Sequence, residues 1–384
     1  MIRKLLILSL FSTLLTSPGC RKPFNPETIK GFSSALIVEG VINPSGVTNI
    51  YLSRTLDLDD KVAVKAELKA SVQVLAENNA AFTLTEKGNG LYSIPQLSLN
   101  SAQKYRLKIK TAAGAEYMSD PMGVKNTPLI DNLAWVREPG GVGIYVDAHD
   151  SQNNTRYYQW DYEEDWELRS LDESLYKGMP LSNGKGSVVS RDPKETPLML
   201  TCYKSGRSTN IDIFSTAPLT SDVVSKHRVV FIPDNSEKLA VRYSVLVRQY
   251  ALPFEAFEYL SMMKRNSEQL GSFFDAQPSE LIGNIRNIND PKDIAIGFIG
   301  IASVQEKRIF IERNELQSWG FRLSCVNPIV KNNADSLVAF NSGQLIPRTP
   351  IISAGGGIEA WEGLSINCMD CRSRGGNNNK PAFW

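Results

Sequence analysis

The sequence predicts a mainly β protein. Its expected fold is an N-terminal immunoglobulin-like or transthyretin-like β-sandwich, followed by a larger β-rich domain that carries one amphipathic helix. Three observations lead there. Apolar and polar residues alternate from Ala35 to Val124, with turn residues between the runs. The alternation resumes beyond Asn126-Thr127-Pro128. A helical period occurs once, where Ala256, Leu260, Met263, Ser267 and Leu270 step by four and three and Phe257 widens the stripe.

Met1 to Cys20 reads as a targeting segment. Arg3 and Lys4 precede an apolar run from Leu5 to Leu15, which falls short of the roughly 20 residues of a membrane span and suits a signal core. Ser17-Pro18-Gly19 then places small residues before Cys20. That arrangement predicts cleavage after residue 19 and lipidation of Cys20, so that the protein attaches to a membrane through this residue. Acyl chains there hold a protein firmly, at ~0.8 kcal/mol per buried methylene. Residues 20–34 read as a tether, with two prolines and few apolar residues between Arg21 and Gly31.

The β-sandwich is placed at residues 35–126. Its clearest strand is Lys104 to Lys110, where Tyr105, Leu107 and Ile109 alternate with cations. Turns fall at Asn43-Pro44-Ser45-Gly46, Asn78-Asn79, Lys87 to Gly90 and Ala113-Gly114. The second domain is placed at residues 127–384. Leu129 to Val136, Gly143 to Ala148 and Arg156 to Leu168 pattern as strands. The last is dense in aromatics, and alternation sets Tyr158, Trp160 and Tyr162 on one face. Two readings suit that face: sheet core with cross-strand pairs, or a platform contacting a sugar or peptide. Arg169 to Thr196 is polar and reads as an exposed excursion serving as a contact loop. The central helix is placed at 253–270, with acids early and bases late, as the helix dipole favours. Ile294–Val304 and Arg308–Glu312 read as a β-hairpin whose first arm is buried on both faces. From Asn314 the chain reads as irregular and polar.

Composition excludes several classes. With 42 Lys plus Arg against 41 Asp plus Glu, net charge is +1, so no long-range field attracts nucleic acid. Two histidines, His149 and His227, are few for a histidine-based metal site. No GxSxG, HExxH, Walker or GxGxxG motif is found, and no cofactor or metal is expected. Two clusters remain for acid–base or carboxylate chemistry. One is Asp147, His149 and Asp150. The other is Glu163, Glu164, Asp165 and Glu167. With Cys20 set aside, Cys202, Cys325, Cys368 and Cys371 suggest two disulfides with three possible pairings. A long-range bridge such as Cys202–Cys325 would pin the tail to the body. A redox CxxC at Cys368–Cys371 and a four-cysteine zinc site are the competing readings.

Several stretches together carry a family resemblance: the lipobox, Leu36-Ile37-Val38-Glu39-Gly40, and Tyr243 to Tyr250 with its helix. Phe274-Asp275-Ala276-Gln277-Pro278-Ser279 with Gly283-Asn284-Ile285 is another. So is the ending from Cys368 to Gly376 with Lys380-Pro381-Ala382-Phe383-Trp384. The chain resembles a family of Bacteroidota outer-membrane lipoproteins, domain of unknown function 4249. The resemblance implies an outer-membrane location and company with TonB-dependent receptors, and it brings no catalytic residues. The expected function is thus a lipid-anchored, non-enzymatic accessory or binding subunit of a TonB-dependent transporter system. The alternative is a surface glycan- or peptide-binding protein, or a hydrolase, using residues 157–166. The face of the outer membrane stays open.

Overall fold

A computed structural model describes residues 34–56, 64–268 and 281–384. The targeting segment, Cys20, the tether up to residue 33, the segment Phe273 to Pro278 and residues 269–270 of the expected helix lie outside them. The N-terminal unit comprises β1 (Leu36–Ile42), β2 (Thr48–Arg54), a short β3 (Lys65–Ala66), β4 (Ser71–Ala76) and β5 (Ala81–Gly88). It continues with β6 (Leu91–Ile94), β7 (Lys104–Lys110), β8 (Glu116–Ser119) and β9 (Met122–Lys125). The alternation of β7 works as expected: Tyr105, Leu107 and Ile109 are buried against Val72, Val74 and Tyr92.

This unit differs from the two-layer sandwich expected. Its hydrogen bonding runs β7-β4-β5-β6-β2-β1, then through a later strand to β9, which pairs back onto β7. The result is an eight-strand, barrel-like sheet. The later strands come from beyond the central helix: β19 (Ile285–Asn287), β20 (Ala295–Ile296) and β21 (Gly300–Ala302). The expected hairpin over Ile294–Glu312 is therefore corrected. Residues 295–302 run parallel to β1, with Leu36 opposite Ala295 and Val41 opposite Gly300. β22 (Val304–Glu312) leaves to pair with a strand of the other unit. The run reads as apolar on both faces because Ala295, Ile299 and Ile301 close the barrel core.

The second unit is built from the chain between β9 and β19, with β22 added from beyond it. β10 (Ile130–Glu138), β11 (Gly141–Asp150) and β17 (Asp222–Pro233) form one sheet. β15 (Thr201–Arg207), β12 (Tyr157–Arg169), β18 (Arg242–Ala251) and β22 form another, with β16 (Asp212–Ser215) also on β12. The two enclose one core, including Val142, Ile144, Val230, Trp160, Tyr243 and Val247. Residues 254–268 form the central helix. Ala256 and Tyr259 are its buried residues, so the stripe turns toward Tyr259, whose ring lies 5.8 Å from Phe298.

Two further expectations are corrected. The excursion at 169–196 contains a hairpin, β13 (Tyr176–Pro180) and β14 (Gly186–Ser190). The chain beyond Asn314 holds a three-stranded sheet of β23 (Ile329–Lys331), β24 (Leu345–Ile352) and β25 (Ile358–Ser365). Tyr176 and Val188 of the hairpin pack onto Phe340 and Trp361, so polar-looking sequence folds because each piece covers the other's few apolar residues. Pro347 and Pro350 in β24 fit its place at the sheet edge.

Closure of the barrel rests on Gly297, which has φ of 140° and whose added Cβ would strike the Val38 carbonyl. Gly297→Ala is expected to destabilise the protein by about 2 kcal/mol or more, read from urea unfolding. An unchanged midpoint would show that the closing strand does not need this backbone.

Candidate functional site

The face predicted for Tyr158, Trp160 and Tyr162 exists, and it points into the core. Tyr158 is 0% and Trp160 1% exposed, while Tyr162 is half-buried against the same cluster. The Tyr158 hydroxyl donates to the Asp222 carboxylate, which also accepts from Thr216 Oγ1. Burial, with Asp222 beside it, pushes the Tyr158 phenol well up, so it stays a donor. Trp160 Nε1 donates to Gln249 Oε1 at 2.9 Å, and Gln249 Nε2 donates to the Pro128 carbonyl at 2.8 Å. The Trp160 ring stacks on Tyr158 and on His227, at 5.6 and 4.5 Å. His227 Nε2 lies 2.8 Å from Asp212 Oδ1. With Tyr158 and Trp160 enclosed, these rings serve as core and not as an open platform.

The acidic run splits by alternation. Glu164 faces inward and meets Lys238 and the Tyr243 hydroxyl. Burial and that carboxylate raise the Tyr243 phenol. Glu163 and Asp165 face outward with Asp161. Arg248 meets Asp161, Glu163 and Glu306 at 3.2, 2.7 and 2.9 Å. Burial works against its charge, but Glu163 and its acidic neighbours outweigh that and raise its pKa. Asp147 and His149 share a face, yet His149 Nδ1 meets Asp131 Oδ2 across the β10–β11 pair at 2.7 Å. Asp147 instead accepts from the Lys226 amide at 2.7 Å. Asp150 accepts from the amides of Gln152, Asn154 and Thr155, which makes it a turn former. Among the described residues, no group of three or more His, Cys, Asp or Glu is arranged to hold a metal. None of the described helices is long and apolar enough to cross a membrane.

The four cysteines form two disulfides, Cys202–Cys371 and Cys325–Cys368. The two members of the CxxC thus pair elsewhere, and the example pairing Cys202–Cys325 is replaced. Cys202–Cys371 joins β15 to the tail. Gly376 is needed beside it, because an added Cβ would fall 2.6 Å from Cys202 Cβ and 2.9 Å from Leu168 Cδ1. Arg374 pairs with Glu237 and donates to the Arg169 carbonyl, at 3.1 and 2.7 Å. Asn377 and Tyr203 exchange two backbone hydrogen bonds, at 2.7 and 2.9 Å. The chain ends on the outward face of β18 and β22. There the Arg308 guanidinium sits 3.5 Å from the Phe383 ring centroid, and Arg242 lies between the Phe310 and Trp384 rings at 4.7 and 5.1 Å. Tyr203 meets Trp384 edge-on at 5.7 Å.

A cavity of about 420 Å³ opens between Glu173, Leu175, Arg191, Pro193, Thr196, Pro197 and Leu200. Arg191 in its wall is committed to Ser174, to the Tyr176 carbonyl and to Glu195. The surface features assembled here are an ionic sheet face, an aromatic-ended tail laid across it, and a small groove. Asp131, Asp222 and Thr216 escaped sequence reasoning, since their partners lie on other strands.

Fold and surface define a mainly β protein with a barrel-like sheet joined to a two-sheet unit and tied by disulfides. The chain belongs to the family described as Domain of unknown function (DUF4249), whose model matches residues 21–308. No curated protein matches. One partly similar solved structure is the chitinase ChiA74 from Bacillus thuringiensis, at 16% identity, covering 50% of this chain and 30% of that one. Its TM-score is 0.14, so no argument rests on it.

Three outcomes are expected. Non-reducing peptide mapping should recover the Cys202–Cys371 and Cys325–Cys368 peptides. Cys202→Ser/Cys371→Ser should lower stability by roughly 3–5 kcal/mol in urea, given the 169-residue separation; a loss under 1 kcal/mol would show the tail held by its other contacts. The Asp131 carboxylate also raises the pKa of exposed His149. The pair's contribution to stability is therefore complete below the free-histidine pKa of about 6.5 and fades as pH rises through the folded value. NMR titration should show Asp131→Asn returning His149 to the ordinary range.

Proposed function

We propose that the protein is an exported lipoprotein, held at the outer membrane through Cys20, that acts as a non-enzymatic accessory or binding subunit beside a TonB-dependent transporter. The observation that carries this reading is the pair of disulfides, because such bonds persist in oxidising, exported compartments. The apolar run and small residues before Cys20 support export, cleavage after residue 19 and lipidation of Cys20. Outward-facing ion pairs and a strapped tail supply surface for a partner protein. The glycan-platform alternative has lost its main support, since Tyr158 and Trp160 face inward.

Intact mass of the membrane-extracted protein should equal a chain starting at Cys20 plus acyl groups. Mild-detergent purification through a C-terminal-proximal loop tag should bring down a barrel protein. An unmodified Cys20 would remove the tether, and a lone monomer recovered under gentle extraction would remove the transporter partnership.

A further inference from the structure

The last residues of the chain are fastened in two different ways. Up to Asn378 the tail is held by a disulfide, an ion pair and backbone hydrogen bonds, and Asn378 Nδ2 itself donates to the Leu198 and Thr201 carbonyls at 2.8 and 3.1 Å. Beyond Asn379 the grip changes to ring contacts. A turn closed by the Trp384 amide on the Pro381 carbonyl, at 3.1 Å, presents the two final rings to the sheet. Phe383 lies under Arg308 and Trp384 beside Arg242, Phe310 and Tyr203. Phe383 is still 42% exposed, so this end lies on the surface and is not built into a core.

The strip beneath has its own logic. Arg242, Arg308 and Phe310 share one face of β18 and β22, with Tyr203 on β15 beyond β12, whose Asp165 and Glu167 lie on the same face; Arg308 is partly desolvated and its pKa is lowered by burial. Arg308 is also held by Ser244 Oγ at 2.8 Å and Asp165 at 3.6 Å, and Arg242 by Glu312 at 2.8 Å. Both guanidinium groups thus have partners on the sheet itself besides the rings of the tail. Preorganised cations flanked by aromatic rings form a receptor for further aromatic rings.

We infer that Tyr203, Arg242, Arg308 and Phe310 form a docking strip for a short peptide carrying two adjacent aromatic residues, and that Phe383 and Trp384 occupy it as a displaceable internal ligand. The hinge lies at Asn378–Asn379. Lifting the final residues uncovers the strip, and the Cys202–Cys371 bridge keeps the strap attached. The occupant's chemistry comes from the tail seated there, because recognition runs through rings and cations and asks little of the preceding residues. The inference stands apart from the transporter reading: it concerns a peptide, whatever protein carries it.

The test uses the full chain with Phe383→Ala/Trp384→Ala and two fluorescein-labelled peptides, Lys-Pro-Ala-Phe-Trp and the unrelated Gly-Ser-Gly-Phe-Trp. Circular dichroism and disulfide mapping establish that each variant is folded. Anisotropy should show saturable binding of both peptides to the variant, and at least tenfold weaker binding to the unaltered protein, whose own tail competes. Adding Arg308→Gln, or separately Arg242→Gln, should weaken binding at least tenfold. Absence of saturable binding to the folded variant overturns the inference. So does equal binding to the unaltered protein, which would place the peptide elsewhere. Binding confined to Lys-Pro-Ala-Phe-Trp also overturns it, since the tail would then be a structural clasp with no room for another chain.

Discussion

Parallel pairing of Gly300–Ala302 with β1 on one side and β9 on the other is the constraint on which the rest of the fold depends. Without it the barrel-like sheet keeps two open edges, each a row of unpaired backbone groups. Parallel pairing demands a long crossover, and here the crossover from β9 contains every strand of the second unit's two sheets except β22. Both passages of the chain between the units therefore lie side by side. The Thr127 amide donates to Ser303 Oγ at 2.9 Å and the Ser303 amide to the Lys125 carbonyl at 3.0 Å, which ties exit to return. β22 begins at the next residue and is delivered to β18 already in register, with Val304 opposite Tyr250.

The C-terminal extension is held by other means. Its own clusters are small: Val330, Leu337, Phe340 and Trp361 in one, and Ile346, Leu364, Cys368 and Met369 in the other. Cores of that size do not stabilise a unit alone, and small units commonly add covalent staples. The loop closed by Cys325–Cys368 lies inside the one closed by Cys202–Cys371, so the two contributions overlap and do not add. The inner bridge holds the small sheet together. The outer one attaches that sheet to β15, and through β15 to the main core.

Much of this was legible from period alone. β7 buries alternate residues, β12 and β18 bury one full face and a few residues of the other, and the sequence carries the period openly. Direction along the chain was legible; destination was not. The run around Ile299 and Ile301 is visibly apolar, but its partners, around Ile42 in β1 and Val124 in β9, sit far earlier in the chain, and no local signal reports a parallel partner. The hairpin β13–β14 was hidden because its apolar content is shared with Trp361 and Phe340 far downstream. Tyr158 and Trp160 could be put on one face, but the side that meets the core depends on β11 and β17 packing over them. Cysteine pairing was likewise beyond spacing, since it follows from where β15 and the tail meet.

The outward face of β12, β18 and β22 shows how one sheet can be soluble at one end and sticky at the other. Around Arg248, three carboxylates answer one guanidinium, leaving a local negative excess that repels a further acidic surface and holds water. Their effect is on what the face rejects. Toward Arg308 and Arg242 the same strands turn aromatic and cationic, and there the chain lays its own Phe383 and Trp384. The boundary follows from alternation. The outward positions of β22 run Glu306, Arg308, Phe310 and Glu312, so one strand passes from an acidic patch to an aromatic one within a few residues. The tail covers the aromatic part and leaves the acidic part to solvent, which keeps the apolar part of this surface shielded while the strap is closed.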